Sequence, residues 1–210
     1  MNKKILLLTD SLALPRQIPE FCSYNDTWPE LLRKLGYSIH QVSIGGATSS
    51  DLLNQVSYHK VYDPDLVIIQ VGIVDCVPRF ATKLEVILLR KMGYVGAFVL
   101  KVLNHKRIRK IRKITYVDPA LFERNVVTIQ NKFNGTKIYF LGILPATEAY
   151  ERILPGVRKR IIEYNKILKE KTDYISVEDF ESSGIMSDFH HLNQRGHKQL
   201  IDKIVNHINV

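Results

Sequence analysis

Residues 4–12 read KILLLTDSL, a short apolar run that ends in a polar turn. A run of this length bounded by turn residues is typical of a buried strand, since a buried helix would continue further. Similar runs extend over Ser38 to Val42, Leu66 to Val71, Lys137 to Leu141 and Tyr174 to Val177. Because helical patterns separate most of them, we expect a three-layer α/β/α fold with a central parallel sheet of about five strands.

Three helices are indicated by their end residues and by apolar residues spaced three or four apart. The first is expected between an N-cap at Thr27 and a stop at Gly36, with an apolar stripe that includes Leu35. The second begins at Ser49 or Ser50, and the last follows residues 193–197. Helices at these places would cover both faces of the sheet.

The segment from Arg79 to Lys113 departs from the alternation of strands and helices. It contains eleven Lys and Arg against one acid, Glu85, whereas the whole chain of 210 residues has a net charge of +9. Many apolar residues lie between these charges, which indicates one or two helices inserted after the third strand. We therefore predict a single domain over residues 1–210, with a basic helical insertion at about 79–125.

Three interpretations of the basic segment are open. Helices with Lys and Arg beside apolar residues can lie on an anionic membrane surface. Alternatively, the apolar residues pack on the sheet or on a second subunit, and the charges face solvent. Nucleic acid is a weaker interpretation, because the basic run Arg107 to Lys113 contains no aromatic residue and no known binding module accompanies it. The sequence leaves the oligomeric state open.

The first apolar run is too short for a secretory signal, because it ends after Leu8 and such a segment needs about 7 to 15 apolar residues. No later stretch reaches the roughly 18 uninterrupted apolar residues of a membrane span. We therefore expect a cytoplasmic protein, peripheral on the inner face of the membrane if it binds lipid. In that compartment Cys22 and Cys76, which have no metal-ligand spacing, are expected to be free thiols.

Two segments contain residues suited to nucleophilic catalysis. Ser11 follows the first strand, at the edge where open parallel sheets bind ligands. Asp188 precedes His191 by three residues, a spacing that lets the carboxylate orient Nδ1 of the imidazole while Nε2 faces a nucleophile. Histidine suits this role because its pKa lets it take and return a proton near neutral pH.

Two further segments, Ile44–Thr48 and Gln70–Asp75, place glycines after the second and third strands. Glycine lets backbone N–H groups approach a developing oxyanion, which acyl transfer requires. Taken singly, each of these segments also fits an ordinary turn.

Together and in this order, the four segments resemble the SGNH or GDSL hydrolase family, and the resemblance spans Leu8 to His191. The Gly-Asp-Ser-Leu block of the family appears as TDSL at 9–12, its Gly-x-Asn-Asp block as GIVD at 72–75, and its Asp-x-x-His block as DFHH at 188–191. The resemblance implies a flavodoxin-like fold and serine-dependent chemistry on small acyl groups of carbohydrates or lipids. It implies no metal and no organic cofactor.

The same resemblance assigns roles to residues of this chain. Ser11 becomes the nucleophile, His191 the general base and Asp188 its orienting acid. Backbone N–H groups of Ser11, Gly46 and Gly72 would form the oxyanion hole. Adjacent histidines leave the base ambiguous, and the family spacing selects His191. Further candidates for the site are Asp10, Asp75 and His190.

Val74 departs from the family pattern, which has asparagine at this position. That asparagine donates a hydrogen bond to the oxyanion, and loss of one such donor costs about 100- to 1,000-fold in rate. Three functions therefore stay open: an esterase that removes acetyl-like groups from a carbohydrate or lipid-linked glycan, an O-acyltransferase of bacterial surface-polysaccharide biosynthesis, and a catalytically weak binding protein. The presence of Ser11, Asp188 and His191 together argues against the binding protein.

Three arginines are candidate contacts for an anionic substrate. They are Arg16, Arg79 and Arg158, and we interpret each as an ordinary surface residue outside the site.

Overall fold

The computed structural model describes residues 3–208, and its centre is a parallel five-stranded sheet with strand order β2-β1-β3-β4-β5. The sequence prediction of this sheet is confirmed, and predicted and observed strand ends differ by at most two residues. The strands are β1 Lys4–Thr9, β2 Ser38–Ser43, β3 Leu66–Gln70, β4 Lys137–Leu141 and β5 Tyr174–Ile175.

Strands β1 and β3 lie next to each other at the centre of the sheet. Leu8 of β1 pairs with Val42 of β2 on one side and Ile69 of β3 on the other. Both central strands are buried on two faces, which explains their continuous apolar sequences. Because β2 and β3 flank β1, the order of winding reverses there, and the carboxyl ends of β1 and β3 form a crevice suited to ligands.

Helices cover the sheet in two layers. Helices α1 and α10 contact each other in one layer, and α2, α7 and α9 form the other. The remaining helical regions are a short turn after β3, a group of helices that follows it, and a short helix after β4. The helices are α1 Trp28–Lys34, α2 Ser49–His59, α3 Ile73–Cys76, α4 Lys83–Lys91, α5 Gly93–Leu103, α6 Lys106–Arg112, α7 Pro119–Lys132, α8 Glu148–Ile153, α9 Val157–Lys171 and α10 Gln194–Ile208.

Helix α1 shows one error of the sequence prediction. Leu32 is fully buried, but Leu35, which was expected in the apolar stripe, lies beyond the last helical residue and is 59% exposed. Thr27 occupies the predicted N-cap, yet its hydroxyl donates to the carbonyl oxygen of Tyr24 at 2.8 Å and accepts no bond from the helix. Gly36 has φ +93°, the left-handed conformation that ends helices.

The basic segment forms three helices, α4, α5 and α6, where one or two were expected. Helix α7 starts at Pro119, inside the range 79–125 predicted for the insertion, yet its Phe122 and Val126 are in the main core. The crossover from β3 to β4 is therefore completed by α7, and α4 to α6 precede it. The division of the chain into one domain with an insertion stays a prediction.

Helices α4 and α5 form an exposed hairpin, residues 83–103. Gly96 lets them approach closely, because a Cβ there would lie 1.6 Å from the carbonyl oxygen of Leu89. Helix α4 buries no residue and α5 buries only Gly96, so packing of their apolar residues on the sheet is excluded. The exposed apolar side chains are Leu84, Ile87, Leu88, Met92, Tyr94, Val95, Phe98 and Val102.

Two findings concern the membrane and the cysteines. Within residues 3–208, no helix has the length and apolar character needed to span a bilayer. Cys22 and Cys76 are buried free thiols, as expected.

Candidate active site

Ser11 is held at the carboxyl end of β1 by its neighbours. Asp10 donates its backbone N–H to the carbonyl oxygen of Gln70 at 3.0 Å, and its Oδ1 accepts from the N–H of Leu12 at 2.9 Å. These bonds cap a single 3₁₀ turn, Ser11–Ala13, and leave the Ser11 hydroxyl at a pocket. Asp10 is buried beneath the turn and does not line the pocket, and this burial raises the pKa of its carboxyl to about 7.

A tight loop before α10 presents His191 to Ser11. Met186 donates its N–H to the carbonyl oxygen of His191 at 2.8 Å, and Phe189 closes the loop in a left-handed conformation with φ 70°. Asp188 Oδ2 lies 2.6 Å from His191 Nδ1, and His191 Nε2 lies 2.9 Å from Ser11 Oγ. Residues 180 positions apart are thereby joined in one hydrogen-bonded chain.

Electrostatics favour a neutral imidazole at this position. Burial, with a contribution from His190, lowers the pKa of His191 to about 4, although Asp188 opposes the shift. Burial acts to raise the pKa of Asp188, but hydrogen bonds from His191 outweigh it and the pKa falls below its usual range. At neutral pH, Asp188 is therefore charged and accepts from Nδ1–H, while Nε2 of His191 carries no proton and contacts Ser11 Oγ and Arg16 Nη2.

His190 lines the same pocket but takes no part in the hydrogen bonds that join Ser11, His191 and Asp188. Its Nδ1 lies 2.7 Å from the backbone oxygen of Asp188, and its ring stacks on Tyr150 with centroids 6.0 Å apart. Possible ligand atoms of Asp188, His190 and His191 lie within 4.8 Å of one another. Because Asp188 Oδ2 and His191 Nδ1 are already bonded to each other, we interpret the cluster as a relay.

The glycines of the two predicted oxyanion segments have different surroundings. Gly46 lines the pocket with φ +73°, and neither its N–H nor that of Ser11 donates to another described residue. Gly72 is buried with φ +128°, and a Cβ there would lie 2.5 Å from Ile143 Cδ1. Gly72 does not line the pocket, so close packing accounts for glycine at this position.

Asp75 supports the Gly46 loop from the protein interior. Its carboxylate accepts from the N–H and hydroxyl of Ser49, at 2.9 and 2.6 Å, which anchors the start of α2. Burial raises the pKa of Asp75 to about 6. Asp75, like Asp10, is therefore a positioning residue beneath the pocket and not part of its lining.

The pocket around Ser11 has a volume of about 840 Å³. Sequence reasoning left out Arg16 and Arg79 and overlooked Arg109, all of which line it. Arg158 does not, since it is exposed on α9 and its Nε donates to the carbonyl oxygen of Ala146 at 3.1 Å. The basic run Arg107 to Lys113 was the available signal for Arg109. Apolar and aromatic lining is supplied by Ile73, Val74, Val77, Tyr116, Tyr150, Ile153, Leu154 and Phe189.

Comparison with known families agrees with this arrangement. The model of the GDSL-like Lipase/Acylhydrolase family matches residues 20–199. The chain belongs to this family. Family membership makes it an enzyme of the serine-esterase type that acts on acyl esters, as the four sequence segments implied. The matched region includes Asp188 and His191 and begins after Ser11, so Ser11 is supported by its geometry.

Solved structures share the fold of this family member. A lipase/acylhydrolase from Enterococcus faecalis has a TM-score of 0.67 and 18% identity, over 98% of this chain and 95% of that one. TesA has a TM-score of 0.61 and 19% identity, over 96% of each chain. An acetylxylan esterase from Geobacillus stearothermophilus, in a catalytic mutant, has a TM-score of 0.60 and 15% identity, over 99% and 94%. A comparison with curated protein sequences finds no match.

Proposed function

We propose that this esterase removes small acyl groups, such as acetyl, from a carbohydrate or lipid-linked glycan through an acyl-enzyme. The hydrogen-bonded chain from Ser11 through His191 to Asp188 carries the proposal, because it provides a nucleophile, a base and an orienting acid within bonding distance. The carbohydrate substrate is supported by the fold shared with an acetylxylan esterase.

In the proposed mechanism, Ser11 Oγ attacks the ester carbonyl carbon while His191 Nε2 takes its proton. The C–O bond of the ester then breaks, and His191 returns the proton to the departing hydroxyl group. Water attacks the acyl-enzyme in the same way and releases the acid. Backbone N–H groups of Ser11 and Gly46 stabilise the oxyanion in both steps, and Gly72 is left out of this hole.

Transfer to a sugar hydroxyl, as in O-acylation of a polysaccharide, would use the same residues. The two functions differ only in what resolves the acyl-enzyme. The purified protein should therefore be given p-nitrophenyl acetate with and without a glycan acceptor, and both acetate and acetylated glycan should be measured. Acetate as the main product at all acceptor concentrations supports hydrolysis, whereas acetylated glycan as the main product assigns the protein as an acyltransferase.

Val74 lines the pocket and is expected to limit the rate. Substitution Val74→Asn restores an amide donor at the family position, and we expect kcat for p-nitrophenyl acetate to rise about 10-fold or more, since one oxyanion donor contributes about 100- to 1,000-fold. Val74→Ala, which changes the side chain without adding a donor, is the matched control. Equal rates for the wild type and Val74→Asn would show that the hole is already complete.

We further propose that the exposed hairpin contacts an anionic membrane surface of the cytoplasmic leaflet. Tyr94 and Phe98 are 97% and 68% exposed, and the segment from Arg79 to Lys113 carries the excess of Lys and Arg. Apolar side chains can enter the lipid interface while basic residues interact with anionic headgroups. Such contact would bring the pocket close to a lipid-linked glycan.

Cosedimentation with vesicles tests this membrane contact. The wild type should sediment with vesicles rich in anionic lipid at low salt and less so at high salt, because surface charge interactions are screened. Tyr94→Ser/Phe98→Ser should abolish sedimentation, whereas Tyr58→Ser, at a 73% exposed position of α2, should not. No sedimentation at low salt would reject the contact, and dimers in solution that the double variant dissociates would assign the hairpin to a subunit interface.

A further inference from the structure

Three arginines give the pocket around Ser11 an uncompensated positive charge. Arg16, Arg79 and Arg109 all line it, and the one carboxylate in the lining, Asp188, is bonded to His191. Within residues 3–208, none of the three arginines forms an ion pair with Asp or Glu. A ligand that enters this pocket therefore meets three cationic groups that form no ion pair with a described Asp or Glu.

Arg79 is fixed in place, yet part of its guanidinium has no partner. Its Nη2 donates to the carbonyl oxygen of Val74 at 3.3 Å, and the guanidinium lies over the Tyr116 ring at 4.4 Å from the centroid. Its Nε is buried and makes no hydrogen bond to any described residue. A buried donor without a partner is costly, so a ligand that accepts from Arg79 is favoured.

Arg109 reaches the pocket from α6, at the end of the basic segment. Its Nη1 donates to the carbonyl oxygen of Pro78 at 2.8 Å, and its Nη2 contacts the side chain of Asn104. Burial and the nearby charge of Arg79 lower the pKa of Arg109. The two guanidinium groups therefore repel each other across the pocket wall, and an anion bound by both would remove this repulsion.

Arg16 lies closer to the reacting atoms. Its Nη2 contacts His191 Nε2, the atom that also bonds Ser11 Oγ, and its buried Nε makes no hydrogen bond within the described part of the chain. Substitution of Arg16 would change the base and any bound anion together. Arg79 and Arg109, which do not contact Ser11 or His191, are therefore the residues that report on anion binding alone.

We infer that the ester substrate carries an anionic group, a phosphate or a carboxylate, which Arg79 and Arg109 bind in the pocket beside Ser11. The planar guanidinium matches both groups, because its N–H donors can form paired hydrogen bonds to two oxygens. The apolar wall of Val77 and Leu154 leaves room for the uncharged part of the ester. This inference rests on the proposed esterase function for the identity of the ligand as a substrate.

Matched esters test the inference directly. The rate constant kcat/KM should be compared for 4-acetoxybenzoate, for 4-acetoxyphenyl phosphate and for the neutral methyl 4-acetoxybenzoate. We expect the wild type to prefer at least one anionic ester by about 10- to 100-fold at low salt, the effect of one charge-assisted hydrogen bond. The preferred anion then distinguishes a carboxylate from a phosphate substrate.

Variants that remove the charge of one arginine identify the residues responsible for the preference for the anionic ester. Arg79→Gln and Arg109→Gln should each lower the preference for the anionic ester about 10-fold, measured as the ratio of kcat/KM for the anionic ester to kcat/KM for the neutral ester, so that any general loss of activity cancels. Arg124→Gln, at an exposed position of α7 outside the pocket, is the control with the same change of charge. Arg79→Lys keeps the charge and should recover part of the preference. Melting temperatures of all variants identify any that are unfolded.

Calorimetric binding of inorganic phosphate to the Ser11→Ala protein gives a readout that needs no turnover. We expect Arg79→Gln to raise its Kd about 10-fold and Arg124→Gln to leave it unchanged. Hydrolysis of the neutral ester without any preference for the anionic esters overturns the inference while the esterase function stands. If no ester is hydrolysed, the proposed esterase function is wrong. In that case, phosphate binding that is weakened by Arg79→Gln still supports an anion site, whereas no phosphate binding rejects the anion site.

Discussion

Replacement of Ser11 by alanine is expected to lower kcat for p-nitrophenyl acetate by about 10⁴-fold or more. The alanine side chain has no oxygen to attack the ester, and His191 Nε2 loses the group that lies 2.9 Å from it. Steady-state kinetics of p-nitrophenol release, with acetate and with a longer-chain ester, measure the effect. Residual activity would come from the oxyanion hole and the binding pocket alone.

The matched control for this substitution is Ser57→Ala, at an exposed position of α2. It should keep the wild-type rate, and both variants should keep the wild-type melting temperature. A second readout is the mass of the protein during turnover, which should include an acetyl group in the wild type and not in Ser11→Ala. If Ser11→Ala retained the wild-type rate, the proposed serine mechanism would be wrong.

Replacement of His191 by glutamine is expected to lower kcat by about 10⁴-fold, whereas His190→Gln should lower it by less than about 10-fold. Nε2 of His191 faces Ser11, but Nδ1 of His190 is directed to the backbone oxygen of Asp188 at 2.7 Å. The adjacent histidine is thus a matched control with the same chemical change one residue away. The opposite order of effects would assign the base to His190.

The pH dependence of kcat/KM provides a further test of the base. A general base must be neutral, and a pKa of about 4 for His191 keeps it neutral well below the usual range of histidine. The wild-type rate should therefore persist as pH falls from 7 to about 5 and decline as His191 becomes protonated. Because the charge of His190 helps to lower this pKa, His190→Gln should move the acidic limb to higher pH.

Local sequence patterns were enough to predict the strands of the sheet and the residues of the proposed relay, Ser11, Asp188 and His191. A continuous apolar run such as Leu66–Gln70 predicts a strand that is buried on both faces, and this strand is buried at every position. Ser11 and the segment Asp188 to His191 were found because chemical type and strand or helix position are both local properties. The role expected of Gly72 could not be judged in this way, because its contact with Ile143 is made only after folding.

Exposure of the hairpin formed by α4 and α5 was also beyond the sequence. Its apolar spacing is compatible with a core helix, but no element among residues 3–208 covers it, and side chains such as Tyr94 are exposed. The mistaken prediction for Leu35 has the same origin. A hydrophobic pattern predicts which face of a helix is apolar, but it does not show whether another element packs on that face.

By itself, the sequence determined the class of fold, the family and the residue types of the relay, since these depend on local periodicity and short motifs. Tertiary structure alone decided that Arg16, Arg79 and Arg109 share the pocket with Ser11. Arg16 is far along the chain from Arg79 and Arg109, which lie 30 positions apart in the basic segment, and no local pattern encodes the convergence of the three. The same closure of distant segments placed Ser11 Oγ 2.9 Å from His191 Nε2.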